Sequence, residues 1–142
     1  MSVTTAVRTT FLTSRAAARH MIGQGSGVIL FFGGEGDPLP DYYLGGFQVA
    51  LTAIEHLRRQ LASELGPHGI RAVTLKTGGV PEAIPEDFAG KEAITESLIE
   101  PTMLKRTATL EDVGNVAAFA ASDLARTMTA TAINITCGRV AD

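Results

Sequence analysis

The stretch "DYYLGGFQVALTAIEHLRRQLASEL", residues 41–65, sets two phenols, Tyr42 and Tyr43, ahead of a glycine pair and a long amphipathic run. A phenol can give and take a proton, but its ordinary pKa is about 10. It needs a nearby cation, such as a lysine ammonium, to favour the phenolate. No lysine stands anywhere in this stretch. Other reactive groups offer less. His20, His56 and His68 are scattered, with no spacing that would hold a metal. Cys137 is the only cysteine, which excludes an internal disulfide and a CxxC metal pair. It follows an apolar run and reads as a packing residue. No serine sits in a nucleophile-elbow pattern.

The elements that would position these groups follow from hydrophobic periodicity. A first helix is expected over about Val7 to Ile22, where Ala16, Ala17 and Ala18 favour helix, with Gly23 ending it. After the turn "GQGSG", Val28 to Phe32 is a short continuous apolar run. Such a run predicts a strand buried on both faces, as in parallel sheets. In the second helix, Phe47, Ala50, Leu51, Ile54, Leu57, Leu61 and Leu65 recur at three- and four-residue steps and make one apolar face. Gly66 is expected to supply its left-handed end and Pro67 to block continuation. Ile70 to Leu75 predicts the next strand. Residues 77–109 are turn-rich, with a short helix over Lys91 to Ile99. Thr109 opens a helix with Asp112 in the acidic position of a capping-box pattern, and Ala132 to Thr136 is a last strand.

Helix and strand therefore alternate, which implies a parallel sheet covered by helices. The length of 142 residues favours one domain, 1–142, and 45% hydrophobic residues are enough for a core. The net charge of −3 is spread without a basic patch, which argues against nucleic acid or an acidic membrane surface as partner. No apolar run approaches the roughly 18–20 residues needed to span a bilayer. A cytoplasmic location is the default expectation.

Three blocks, in this order, carry a resemblance. They are "TFLTSRAAARHMIGQGSGVILFF", "LRRQLASELGPHGIRAVTL" and "LKRTATLEDVGNVAAFAASDLARTMTATAINITCG". The chain from about Ala6 to Gly138 resembles the second half of the short-chain dehydrogenase/reductase family. The resemblance implies an α/β fold: a partial Rossmann-like parallel sheet of about three strands with flanking helices. It also implies a lineage of NAD(P)-dependent hydride transfer. The family's glycine-rich cofactor turn lies between a strand and a helix. "GQGSG" has the reverse order and reads as an ordinary turn, and "GGEG" at Gly33 to Gly36 follows a strand but opens no helix.

In the resembled family a tyrosine and a lysine four apart on one helix face transfer the proton. A serine holds the substrate oxygen, and an asparagine completes the relay. Anchored on "RRQLASEL", the tyrosine position falls on Phe47 and the lysine position on Leu51. The serine position falls on Gly34 and the asparagine position on Ala6. None of these side chains can do the family's chemistry. Tyr42 and Tyr43 do not substitute, since four residues on stand Gly46 and Phe47. Nor does His56, nine residues past Phe47, because steps of about 100° turn it to the opposite face. "TGGVPE" takes the place of the loop that would line a nicotinamide, with Thr77 for a proline and Glu82 for a threonine.

The resemblance thus implies an oxidoreductase homologue without turnover as the chain stands. The cofactor-binding half and the catalytic set are missing, and no cofactor is expected for this chain alone. A groove of Gly34, Tyr42, Tyr43, Phe47, Thr77, Gly78 and Glu82 is expected to keep small-molecule binding. The alternative is a non-catalytic assembly or small-molecule-binding subunit. It would form a homo-oligomer, or dock on a homologous subunit, through its helices. An unpaired apolar edge along Val28 to Phe32 would favour association.

Overall fold

The computed structural model describes residues 2–33 and 45–141. Its elements are α1 (Val3–Gln24), β1 (Gly27–Gly33), α2 (Phe47–Leu65), β2 (Ile70–Thr77), α3 (Lys91–Ile99), α4 (Leu110–Ala121) and β3 (Thr131–Ile135). The three strands form one parallel sheet in the order β1-β2-β3, so the expected α/β architecture is present. Among the described residues no helix is long and apolar enough to cross a membrane.

Alternation along β2 assigns its two faces. Ile70 and Ala72 join Ala18 of α1, Phe31 of β1 and Leu61, Ala62 and Leu65 of α2 in a buried core. Two residues on, Thr74 reaches Glu55 of α2. On the opposite face, Arg71 donates to the carbonyls of Ala120, at 2.7 Å, and Ser122, at 3.1 Å, and so ties β2 to the end of α4. The helices α1 and α2 therefore cover one face and α4 the other.

Several boundaries differ from the sequence expectation, each for a local reason. The first helix starts at Val3 because the Ser2 hydroxyl accepts the Thr5 N–H and caps it. It also runs through Gly23. Gly25 is the residue that turns left-handed, at φ 69°, and its N–H returns to the Ile22 carbonyl. Gly66 likewise stays right-handed at φ −54°, since Pro67 opens a further tight turn over Gly66–His68. Gly69, at φ 76°, makes the left-handed stop instead. The β1 strand is not buried on both faces: Phe31 is 4% exposed but its neighbour Phe32 is 61% exposed. The capping box on α4 is present as expected. The Thr109 hydroxyl accepts the Asp112 N–H, and the Asp112 carboxylate accepts the Thr109 N–H, both at 3.0 Å.

Candidate functional site

Parallel α/β sheets bind ligands beyond the carboxyl ends of their strands. Here that edge is formed by Gly33, Thr77 and Ile135. The first turn of α2 lies over it. A Cβ built on Gly33 would come within 2.9 Å of the Leu51 Cδ2, so the helix side chain closes directly on the strand end. Leu51, the expected lysine position, is thus at the carboxyl edge and presents hydrocarbon there. Phe47, the expected tyrosine position, is the first residue of α2 and is half-buried. Ala6, the expected asparagine position, is buried on α1 at 4% exposure. Gly34, Tyr42 and Tyr43 lie outside the described residues.

Of the expected groove, Phe47, Thr77, Gly78 and Glu82 lie within the described residues. Thr77 and Gly78 lie at the end of β2, where the Arg139 guanidinium donates to the Gly78 carbonyl at 3.3 Å. Glu82 is turned elsewhere. Its carboxylate accepts the Leu110 N–H at 2.8 Å, at the start of α4, where a negative charge meets the positive end of the helix. This carboxylate therefore has a structural task that sequence reasoning did not assign to it.

Two cavities are formed by other residues. One of about 510 Å³ lies between α4 and the end of β3, lined in part by Arg106, Asp112, Asn115, Asn134 and Cys137. Thr109 holds the Asp112 carboxyl below the usual aspartate range, through its backbone N–H first and then its hydroxyl, with Arg106 adding to the effect. The second cavity, about 330 Å³, runs between α1 and β1 and is lined by Thr10, Thr13, Ser14 and the β1 side chains. Cys137 sits at φ 56°, a left-handed conformation uncommon for a residue with a Cβ. His20, His56 and His68 are exposed, and no cluster able to hold a metal exists among the described residues.

Three ionisable residues near the sheet escaped sequence reasoning. Glu55 and Arg58 are 3% and 2% exposed and pair at 2.7 Å, with Thr74 donating its hydroxyl to Glu55. Lys76 is 9% exposed on β2. Its register partners are Gly33 and Asn134, so its side chain leaves the sheet on the α2 side with Ala72 and Thr74. The available signal was position. Arg58 stands four residues after Ile54 and three before Leu61, inside the apolar stripe.

Of the described side chains at this edge, Leu51 offers hydrocarbon where the resemblance implies an ammonium, and Phe47 a ring where it implies a hydroxyl.

The family model described as enoyl-(acyl carrier protein) reductase matches residues 2–139. The enoyl-(acyl-carrier-protein) reductase (NADH) FabI of Synechocystis is 35% identical over 125 residues, covering 88% of this chain and 48% of that protein. The protein of the same name from Escherichia coli is 30% identical over 132 residues, covering 90% and 48%. A short-chain type dehydrogenase/reductase from Mycobacterium ulcerans superposes with a TM-score of 0.80 at 26% identity, over 97% of this chain and 50% of the other. The chain thus spans about half the length of the relatives it matches. On the match from residue 2 to 139 and the parallel sheet it builds, the chain belongs to the enoyl-(acyl carrier protein) reductase group of the short-chain dehydrogenase/reductase family.

Proposed function

We propose that this chain is an oxidoreductase homologue that does not by itself turn over a hydride-transfer reaction, and that it keeps the family's scaffold for small-molecule binding and assembly. The lineage reaction, taken from the names of its relatives, is NADH-dependent reduction of an enoyl group on acyl carrier protein. The observation that carries the reading is Leu51. It is packed on Gly33 at the carboxyl edge, and no alkyl side chain can depress a phenol pKa or donate to a ribose hydroxyl. Loss of a general acid alone costs about 10²- to 10⁴-fold in rate.

The test is titration of the chain with NADH and NADPH, followed by nucleotide fluorescence and by NADH consumption with an enoyl thioester. Neither binding at millimolar nucleotide nor consumption is expected. Phe47→Tyr with Leu51→Lys should leave consumption at background. Measurable turnover by the parent chain would overturn the reading.

A second reading, assembly through the helices, is favoured by α1. Phe11, Leu12 and Ile22 are all more than two-fifths exposed on it. Docking on a homologous subunit and self-association share this surface.

A further inference from the structure

The smaller of the two cavities touches four consecutive β1 residues, Ile29 to Phe32. Successive side chains of a strand point to opposite faces, so a cavity that meets all four runs along the strand's edge. β1 pairs with β2 along its other edge, and among the described residues no strand pairs with this one. An edge strand leaves a row of N–H and C=O groups unpaired. The wall across from this edge is α1. Its Ser14 lines the cavity at 4% exposure, and the Ser14 hydroxyl has no hydrogen-bond partner among the described residues. A buried hydroxyl left this way is costly until something bonds it. On the α4 face, beside the same edge, Phe32 is 61% exposed. Edge donors and acceptors, a buried hydroxyl and an open aromatic ring thus stand around one groove of about 330 Å³.

We infer that the outer edge of β1 takes a fourth strand, an extended segment of a second polypeptide, seated between β1 and α1. Its main chain pairs with the free β1 groups. One row of its side chains falls on Thr10, Ser14 and Ala17, where a small polar residue meets the Ser14 hydroxyl. The other row falls beside Leu30 and Phe32, where an apolar residue is covered. The segment therefore alternates apolar with small polar residues. This chain spans about half the length of its relatives, so a polypeptide of that lineage has the length to supply such a strand. A second copy of this chain fits less well. Its β1 is apolar in both rows, and its β3 would add head to tail and leave an open edge at each end. The inference goes beyond the assembly reading, which rests on the helix α1.

The probe is a synthetic peptide of alternating valine and threonine with a lysine at each end, titrated into the ¹⁵N-labelled chain. The β1 amides should shift saturably and exchange more slowly with solvent, and Ser14 should shift beside them, while the β3 amides stay unchanged. The same peptide N-methylated throughout keeps its side chains but loses its pairing donors, and should leave β1 unmoved. Ser14→Ala should weaken binding about two- to tenfold, the loss expected for one hydrogen bond. Phe32→Ser, at an exposed site, should weaken it about tenfold through lost apolar burial, even if Ser14→Ala fails to fold. β1 amides unmoved by the peptide, an equal response to the methylated peptide, or a response confined to β3 overturns the inference. Protection of β1 that grows with chain concentration in the absence of peptide assigns the edge to a second copy and overturns it as well. Failure of the assembly reading appears elsewhere, as a monomer in sedimentation, so the two failures are distinct.

Discussion

The Glu55 carboxylate and the Arg58 guanidinium meet at 2.7 Å with both side chains shut from solvent, on a helix face that otherwise packs with hydrocarbon. Among the described residues the Arg58 Nη1 atom finds no partner. The pair is thus held in part by geometry that leaves one donor unsatisfied. Glu55→Ala strands a buried guanidinium and should cost about 3–5 kcal/mol. Replacing the whole group by Glu55→Leu, Arg58→Met and Thr74→Val should cost much less, because no charge or hydroxyl is then left unpaired. Urea unfolding of the two variants checks this. Equal losses in both would show that the site is sensitive to shape and that its charge is secondary.

Gly69 and Gly66 make an opposed pair. A Cβ on Gly69 would run into the carbonyl oxygen of Gly25, and the residue sits at φ 76°. Gly69→Ala should therefore cost at least about 1–3 kcal/mol, the range for a strained backbone. Gly66 is right-handed, and a Cβ there meets nothing within 4 Å beyond its chain neighbours. Gly66→Ala should therefore cost less than Gly69→Ala, its one opposing contact being the Pro67 ring, which disfavours a right-handed residue with a Cβ before it. Thermal melts of both variants read the contrast.

The same two glycines show where the sequence was legible and where it was not. Periodicity set α2 to Phe47–Leu65, and Thr109 with Asp112 announced α4, since both are local signals. Which glycine turns left-handed was not local. It depends on Pro67 opening its own turn, and on the approach of Gly25 to Gly69 across the fold. The site divides in the same way. That Phe47 and Leu51 stand where the resemblance implies a tyrosine and a lysine could be read residue by residue. The pairing of Lys76 with Gly33 could not, because it depends on the register of β1 against β2. Glu82 was given to the groove because "TGGVPE" takes the place of the resembled family's nicotinamide-lining loop, and its bond to the Leu110 N–H at the start of α4 was not legible, since it joins residues 28 apart.

The α4 cap should respond to acid. The folded-state pKa of Asp112 is lowered, chiefly by the Thr109 backbone N–H. The stabilisation this gives is complete above the unfolded aspartate pKa of about 3.9 and is lost as pH falls through the lower folded value. Amide shifts of Leu110 to Val113 followed below pH 5 should report fraying that Asp112→Asn shows already at neutral pH. Thr109→Ala removes the cap's other half and should cost about 1 kcal/mol. Fraying in the parent that begins well above the ordinary aspartate range would contradict this assignment.

Assembly through α1 makes the last prediction. Phe11 and Ile22 are eleven residues apart, which at about 100° per residue returns to nearly the same line along the helix. Ala18, buried in the core, falls within about 20° of that line, and Leu12 is turned about 100° from Phe11. Phe11, Leu12 and Ile22 are 42–46% exposed, so they flank the packed face and stay in part open to solvent. Exposed apolar side chains on a helix that is already folded and capped favour association, since burying them requires little further ordering. Sedimentation should show a dimer or larger species. Phe11→Glu with Leu12→Glu should shift it to monomer with unchanged helicity, because neither side chain belongs to the core cluster. A parent chain that stays monomeric at high concentration would remove the assembly reading.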